Sequence, residues 1–353
     1  MILPRTNDLD FLGALVHARC STMAEGERLD HLCRLHNLSE LGAAVLPGVE
    51  FLGTADFQHR LVQQLVQELS VYLGYLRGVG AEMLNWVLSR FEVENVKVLV
   101  RSLATHVPFQ ECQKYLVSLP YQPKRTVQLA QGTRSLEALI ELLPSGMDAL
   151  RLKKLWNNHR EPFRPFFVEA VLDGTYFREL VMRTGRLPAE DREWVTPLVL
   201  QEVDTFHLML ALRGKFHYGL TPENLLPLHV RGTRISRGRF AEILAAPDAA
   251  TAASRAGDRV MDAVPHKQEA NTGESLEVAA ACEALSWKRF VRLAKHAFRH
   301  GHMALGQVFG YAGLRRVEVA NLITISEALR SGVSPAEIRS RLIPRVGMEA
   351  SYV

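Results

Sequence analysis

The sequence predicts an all-α protein, and three observations predict it. Almost no stretch alternates apolar and polar residues with the two-residue period of a strand. Apolar residues recur instead at helical spacing, as in Leu61, Leu65, Val66, Leu69, Tyr72 and Leu73. Finally, one helical signature is written three times: an acid followed three residues later by an amide or imidazole. The copies are Glu92 with Asn95, Asp204 with His207, and Glu318 with Asn321.

The three acids lie 112 and 114 residues apart, each close to a third of the 353-residue chain. Counted from the acid, position −1 is apolar in every copy (Phe91, Val203, Val317). Positions +4 (Val96, Leu208, Leu322) and +7 (Leu99, Ala211, Ile325) are apolar too. These positions share one side of a helix with position +3, which sets the amide beside a buried stripe. A Pro-started segment follows each copy, at Pro108, Pro222 and Pro335. In the last two, Thr221 or Ser334 is the expected N-cap, with Pro at N1 and an acid in the first turn. A period near 112 is far longer than a solenoid repeat and points to triplication of a small helical bundle. The units expected are residues 8–121, 122–228 and 229–350.

Taken in order, residues 8–45 read as two helices, the second interrupted at Asn37, and then a short helix over Leu38–Leu46 stopped by Pro47-Gly48. Helices follow over Gln58–Leu76 and from Glu82 to about Leu103, the latter carrying the first signature. The short Leu38–Pro47 element recurs as Ser135–Pro144 and Arg239–Pro247. Longer helices are expected over Phe163–Leu180, Glu193–Arg213, Val278–Ala304 and Val317–Arg330, with a closing one over Pro335–Leu342. Gln122–Gly132 reads as a linker. Ala245–Thr272, rich in Ala, Asp, Ser and Gly, reads as the least ordered part.

Composition narrows the function classes. With 47% apolar residues the chain has ample material for a core. There are 42 Lys and Arg against 38 Asp and Glu; the resulting net charge of +4 is spread along the chain and demands no polyanionic partner. Cys20, Cys33, Cys112 and Cys282 are far apart and form no C-x-x-C pair, as expected of reduced thiols. Met1-Ile2-Leu3-Pro4 does not read as a signal peptide, and no run approaches 18 uninterrupted apolar residues.

Three constellations could carry chemistry. His296 and His300, with His302, place two imidazoles at i and i+4, half of a metal site. The general-base Glu of the metalloprotease motif is missing, and Lys295 and Arg299 would repel a cation, so a polar helix end is the expected role. The basic run Arg231–Arg239, with Lys124-Arg125 and Lys153-Lys154, has the charge to meet phosphate but lacks interleaved aromatics, and reads as a solvated loop face. No phosphate-cradling Gly loop occurs. The repeated acid and amide suit a hydrogen-bonded bracket between helix and loop better than a catalytic pair, because an active site has no need of three equal scaffolds. His207 in place of Asn keeps donor and acceptor capacity. No catalytic, cofactor-binding or metal-binding residue is therefore assigned.

The closing stretch, Tyr311 and Arg315 followed by Glu318 and Asn321, resembles the C (AC39-type) subunits of the archaeal and bacterial A/V-type rotary ATPases, whose eukaryotic counterpart is the d subunit of the V-type ATPase. Asp204, Leu208 and Arg213 match the middle copy of that family's pattern; Asn95, Lys97 and Arg101 match the first, where the acid is Glu92. Ala18-Arg19 stands where the family has an Ala-Arg pair, and the likeness runs from about Asp10 to about Pro344. Arg316 departs from it, since the family more often has Glu there. The resemblance implies a funnel-shaped, pseudo-threefold helical body without bond chemistry. It implies a socket between the central shaft subunits and the membrane rotor ring, which transmits torque for coupled ion transport, including hydrogen ion transport. The implied location is the cytoplasmic face, with membrane contact only through the ring and no nucleic acid or cofactor. The alternatives are a helical scaffold binding protein or nucleic acid, and a metal-dependent enzyme centred on His296.

Overall fold

The structure, a computed structural model, describes residues 8–105, 107–120, 138, 143, 147–150, 153–154, 165–262 and 275–343. Among the described residues all regular secondary structure is helical. The N-terminal part contains α1 (Leu9–Cys20), α2 (Gly26–Leu32), α3 (Leu38–Val45), α4 (Thr54–Tyr72), α5 (Gly78–Thr105) and α6 (Phe109–Gln113). Then come α7 (Pro165–Gly185), α8 (Ala189–Met209), α9 (Pro222–Leu225), α10 (Arg237–Leu244) and α11 (Ala249–Ala256). The last are α12 (Ser275–His300), α13 (Leu305–Arg330) and α14 (Pro335–Arg341). Gln122–Gly132, Lys124-Arg125 and most of Ser135–Pro144 lie outside the described residues.

Local chemistry sets the boundaries. Asn37 does not merely interrupt a helix: its side chain accepts from the Glu40 N–H at 2.9 Å and starts α3. Ser334 caps α14 in the same way, with Pro335 at the first helical position. The helix carrying the middle signature does not stop at Met209. It passes into a wider π turn over Leu210–Lys215 before ending.

Long helices come in consecutive pairs joined by short turns, α4 with α5, α7 with α8, and α12 with α13. Within the last pair the backbones approach closely enough to require glycine. A Cβ at Gly310 would stand 2.6 Å from the Phe298 amide nitrogen and 2.7 Å from the Ala294 carbonyl oxygen. Between pairs, the second helix of one packs on the first helix of the next: α5 on α7, α8 on α12, and α13 back on α4. The sequence of contacts therefore closes on itself. At one end the N-termini of α5, α8 and α13 meet. A Cβ at Gly80 would lie 3.2 Å from the Leu305 methyls, one at Gly306 would lie 2.5 Å from the Trp194 Cβ, and the Leu305 N–H donates to Asp191 Oδ1 at 2.7 Å. A single large apolar cluster runs through all the pairs.

One expectation is corrected. Ala245–Thr272 is not structureless where it is described: Asp248 caps α11 through the Thr251 N–H at 2.7 Å, and Ala249, Ala252, Ala253 and Ala256 are buried. Val260 and Met261 continue into the core. The composition that suggests a loop is equally that of a short helix whose small side chains allow close packing. Asp248→Ala should therefore lower stability by about 1 kcal/mol, as loss of an N-cap does. Urea denaturation would detect this; an unchanged midpoint would return the segment to the status of a loose loop.

Candidate functional site

The three signature amides and imidazoles all sit on long helices, buried, and each reaches a backbone segment just beyond the following Pro-started helix. Asn95 on α5 donates Nδ2–H to the Val117 carbonyl at 2.9 Å and accepts the Val117 N–H on Oδ1 at 2.8 Å. Asn321 on α13 makes the same pair of bonds with Ile343, at 2.6 and 2.8 Å. Both partners lie 22 residues on. A primary amide presents donor and acceptor in one plane and so pairs with one peptide unit as a second peptide would.

The middle copy differs. His207 on α8 accepts the Val230 N–H on Nε2 at 3.0 Å, 23 residues on, and makes only that bond. Its proton therefore sits on Nδ1, which faces Asp204 Oδ1 at 3.9 Å, too far for a hydrogen bond. The sequence expectation that histidine would keep both capacities is thus met on the acceptor side alone. The imidazole instead stacks on His229 at a centroid distance of 4.6 Å and lies against Phe240 at 5.2 Å. Asp204 supplies the missing grip: it accepts the Ile235 N–H at 3.1 Å and the Arg234 guanidinium at 2.8 Å. Burial opposes its ionisation, but the neighbouring His207 imidazole, with the Arg234 guanidinium and the Ile235 N–H, holds its carboxyl below the usual range.

The acids are not equivalent. Glu318 accepts the Ala24 N–H at 2.5 Å and pairs with Arg315 at 2.6 Å. Arg315 also reaches Glu68 on α4 at 3.2 Å; the Tyr72 hydroxyl donates to the same carboxylate at 3.0 Å, and so does the Tyr311 hydroxyl. Burial, with Glu68 adding to it, pushes the Tyr311 phenol far up, so it acts here as a neutral donor. Glu92 is fully buried on α5. Leu208 is core, and Ala18-Arg19 lies on α1, which packs on α13.

A second set of polar contacts was not foreseen. Arg101 on α5 binds Glu169 on α7 through two bonds of 2.7 Å, and Arg213 binds Glu283 on α12. Gln58 on α4 donates to Glu327 on α13 at 2.7 Å. Arg101, Arg213 and Glu327 all stand nine residues after a signature acid, and Gln58, Glu169 and Glu283 are spaced by 111 and 114. That shared register is the signal that would have found them. Arg316, the departure from the family pattern, binds Glu202 through bonds of 2.9 and 3.1 Å. Both stand two residues before a signature acid, so a charge swapped at one register position meets its complement at the other. Lys97 is buried against Asp173 at 2.6 Å.

The remaining candidates separate. Arg234, counted in the sequence among solvated arginines, is the counter-charge of a buried aspartate, because a buried carboxylate demands one. His296 packs against Trp194 and His300, while His302 stacks on His17. Among the described residues no three His, Cys, Asp or Glu side chains group so as to hold a metal ion. All four cysteines are free thiols, and burial pushes Cys282 up to about 12. No described helix is long and apolar enough to cross a membrane.

These features define an all-helical protein in which buried polar side chains tie long helices to loops and to one another. The model of the ATP synthase (C/AC39) subunit family matches residues 15–341, and the chain belongs to that family. It is also 23% identical over 267 residues to the C subunit of the A-type ATP synthase of Methanosphaera stadtmanae, a match covering 73% of this chain. The chain spans 66% of that relative's length.

Two outcomes follow from the geometry. Asn321→Ala and Asn95→Ala each leave a buried peptide unit unpaired and should cost roughly 1–3 kcal/mol in urea denaturation. Changes below about 0.5 kcal/mol for both, the range of ordinary surface substitutions, would contradict the buried pairing. The middle bracket is instead sensitive to pH. Burial holds His207 and His229 below the usual histidine range, so the fold keeps them neutral. Their contribution is complete above about pH 6.5 and is lost as pH falls through that value, because the unfolded chain takes up protons first. Stability measured from about pH 7.5 to about pH 5.5 should fall less steeply for His207→Gln, which keeps an acceptor without titrating, than for the wild type. Parallel profiles would show that His207 is not neutral in the fold.

Proposed function

We propose that this chain is the C subunit of a rotary V/A-type ATPase, the socket that joins the central shaft subunits to the membrane rotor ring. The observation that carries the reading is the family match over residues 15–341. In this reading the chain performs no bond chemistry and transmits torque between ATP turnover in the head and ion movement in the ring. It is peripheral, on the cytoplasmic face, and reaches the membrane through the ring. The ten residues of the repeated pattern, from Glu92 to Asn321, serve as structural brackets and clasps.

Physical features support a mechanical role. A coupler must resist twisting, and close-packed helices have low compressibility and transmit strain. The self-closing order of helix contacts gives each pair two neighbours. Three units, residues 8–121, 122–228 and 229–350, related by pseudo-threefold symmetry around a funnel, would present equivalent surfaces to a rotationally symmetric ring. The recurrence of the amide bracket at 22, 23 and 22 residues supports that division.

The test is ATP-driven ion uptake in vesicles with and without the chain. Removing it should leave ATP hydrolysis by the head intact while uptake stops, and adding purified chain back should restore uptake. Full uptake in its absence would sink the assignment.

A further inference from the structure

The basic run Arg231–Arg239 divides in two in the folded chain. Arg234 and Arg239 are neutralised by Asp204 and Glu242. Arg231 and Arg237 have no hydrogen bond or ion pair among the described residues, and both are exposed. They line one cavity of about 440 Å³, together with Arg178 from α7. Arg178 likewise has no carboxylate within salt-bridge distance among the described residues, although Asp148 lies near enough to favour its charge. Burial, and to a lesser degree the charge of Arg231, disfavour that same guanidinium. Three guanidinium groups are thus brought to one concavity without the carboxylates that pair most other arginines among the described residues.

The floor adds an independent observation. His229 lines the cavity and is more than nine-tenths buried. Its Nε2 lies 2.8 Å from the Ile235 carbonyl and must carry the proton, so Nδ1 is left as a bare acceptor. That Nδ1 is buried and has no hydrogen-bond partner among the described residues. A buried polar atom without a partner costs free energy, and a hydroxyl donor entering the cavity would relieve it. The rest of the lining is apolar and aliphatic, from Val181, Met182 and Leu226, with no aromatic ring on which a base could stack.

We propose that this cavity binds a phosphate monoester with a small non-aromatic body, its phosphate held by Arg178, Arg231 and Arg237 and a hydroxyl turned to His229 Nδ1. Guanidinium forks match phosphate oxygens in geometry as well as charge, which is why a cluster of them selects phosphate. The aliphatic wall takes the carbon body, and the missing aromatic surface disfavours nucleotides. The same chemistry is offered by a free metabolite and by a lipid headgroup that carries a phosphate monoester beside free hydroxyls, such as that of phosphatidylinositol 4-phosphate. This site does not depend on the chain's role in torque transmission.

The experiment uses the full chain at neutral pH and two probes. Calorimetry with glycerol 3-phosphate reports a free ligand. Sedimentation with phosphatidylcholine vesicles, with and without phosphatidylinositol 4-phosphate, reports a lipid headgroup. Binding to either probe is expected, and R231A/R237A should weaken it about tenfold or more, the loss typical of charge-assisted hydrogen bonds. R178K, which keeps charge but not the fork, should weaken it less, and R330A, far from the cavity in sequence and lining no part of it, should leave it unchanged. Arg231 and Arg237 are exposed, so thermal melts of the double variant should overlay the wild type; if they do not, R237A alone serves the comparison. Binding to neither probe, or binding that survives R231A/R237A undiminished, overturns the proposal.

Discussion

Everything in this fold depends on the contact by which α13 meets α4. The contacts of α5 with α7 and of α8 with α12 join residues 68 and 70 positions apart along the chain. The α13–α4 contact joins residues 243 to 269 positions apart. Closing so long a loop costs more chain entropy than closing a short one, though the cost rises only slowly with length. It has to be offset at the interface, and this seam holds a largely buried polar network. Glu68 receives Tyr72, Tyr311 and Arg315, and Glu318 ties Arg315 to the Ala24 backbone. A buried ion pair is not in itself a large source of stability, because desolvation opposes it. What it does supply is specificity: any other register between α4 and α13 would part the Glu68 carboxylate from the Arg315 guanidinium and the Tyr311 hydroxyl that answer it.

The same logic explains why polar side chains recur at fixed positions. Position +9 carries Arg, Arg and Glu, and the partner helices answer with Glu, Glu and Gln. Position −2 carries Arg90, Glu202 and Arg316, so the last two neutralise each other. The exposed members contribute little stability individually; Arg101 is 57% exposed, and water screens such a pair. Their value lies in telling one helix neighbour from another among surfaces that are otherwise alike. Apolar packing in such a molecule is nearly degenerate, since Leu and Val stripes recur in each pair, and charge placement breaks the degeneracy.

How much of this was legible in the sequence depended on the distance between cause and effect. Helix existence was legible, because apolar spacing is local. The helix start at Ser334 and Pro335 was legible for the same reason, whereas Asn37 read as a break and caps the helix that follows it. The bracket residues stood out because they repeat, yet nothing in the sequence named Val117, Val230 or Ile343 as their partners; those pairs exist only once a Pro-started helix turns the chain back. Arg234 could not be told from its neighbours, since its carboxylate lies 30 residues earlier. Ala245–Thr272 misled for a physical reason: alanine, aspartate and serine serve a tightly packed, capped helix as readily as a loop. Arg316 read as an anomaly for want of the residue that answers it, Glu202, on another helix.

The middle signature shows where an imperfect repeat becomes informative. Asn95 and Asn321 hold their segments with amides, whose hydrogen bonding does not change with pH. At the middle copy the task is divided between an imidazole and a carboxylate, and each can lose its grip by taking up a proton. His207 cannot accept the Val230 N–H once Nε2 is protonated, because two N–H groups would then face each other. The charges around the pair work against that protonation as well as for it. Asp204 would welcome a cation, whereas Arg234, beside Asp204, and Arg231 and Arg237, beside His229, would not. Burial decides the balance in favour of neutrality, and the stacked His229 keeps water away from the ring that matters. An amide at position 207 would have avoided this conflict altogether. The histidine fills the space between His229 and Phe240 that an asparagine would leave empty, so packing explains its presence and pH sensitivity is the consequence.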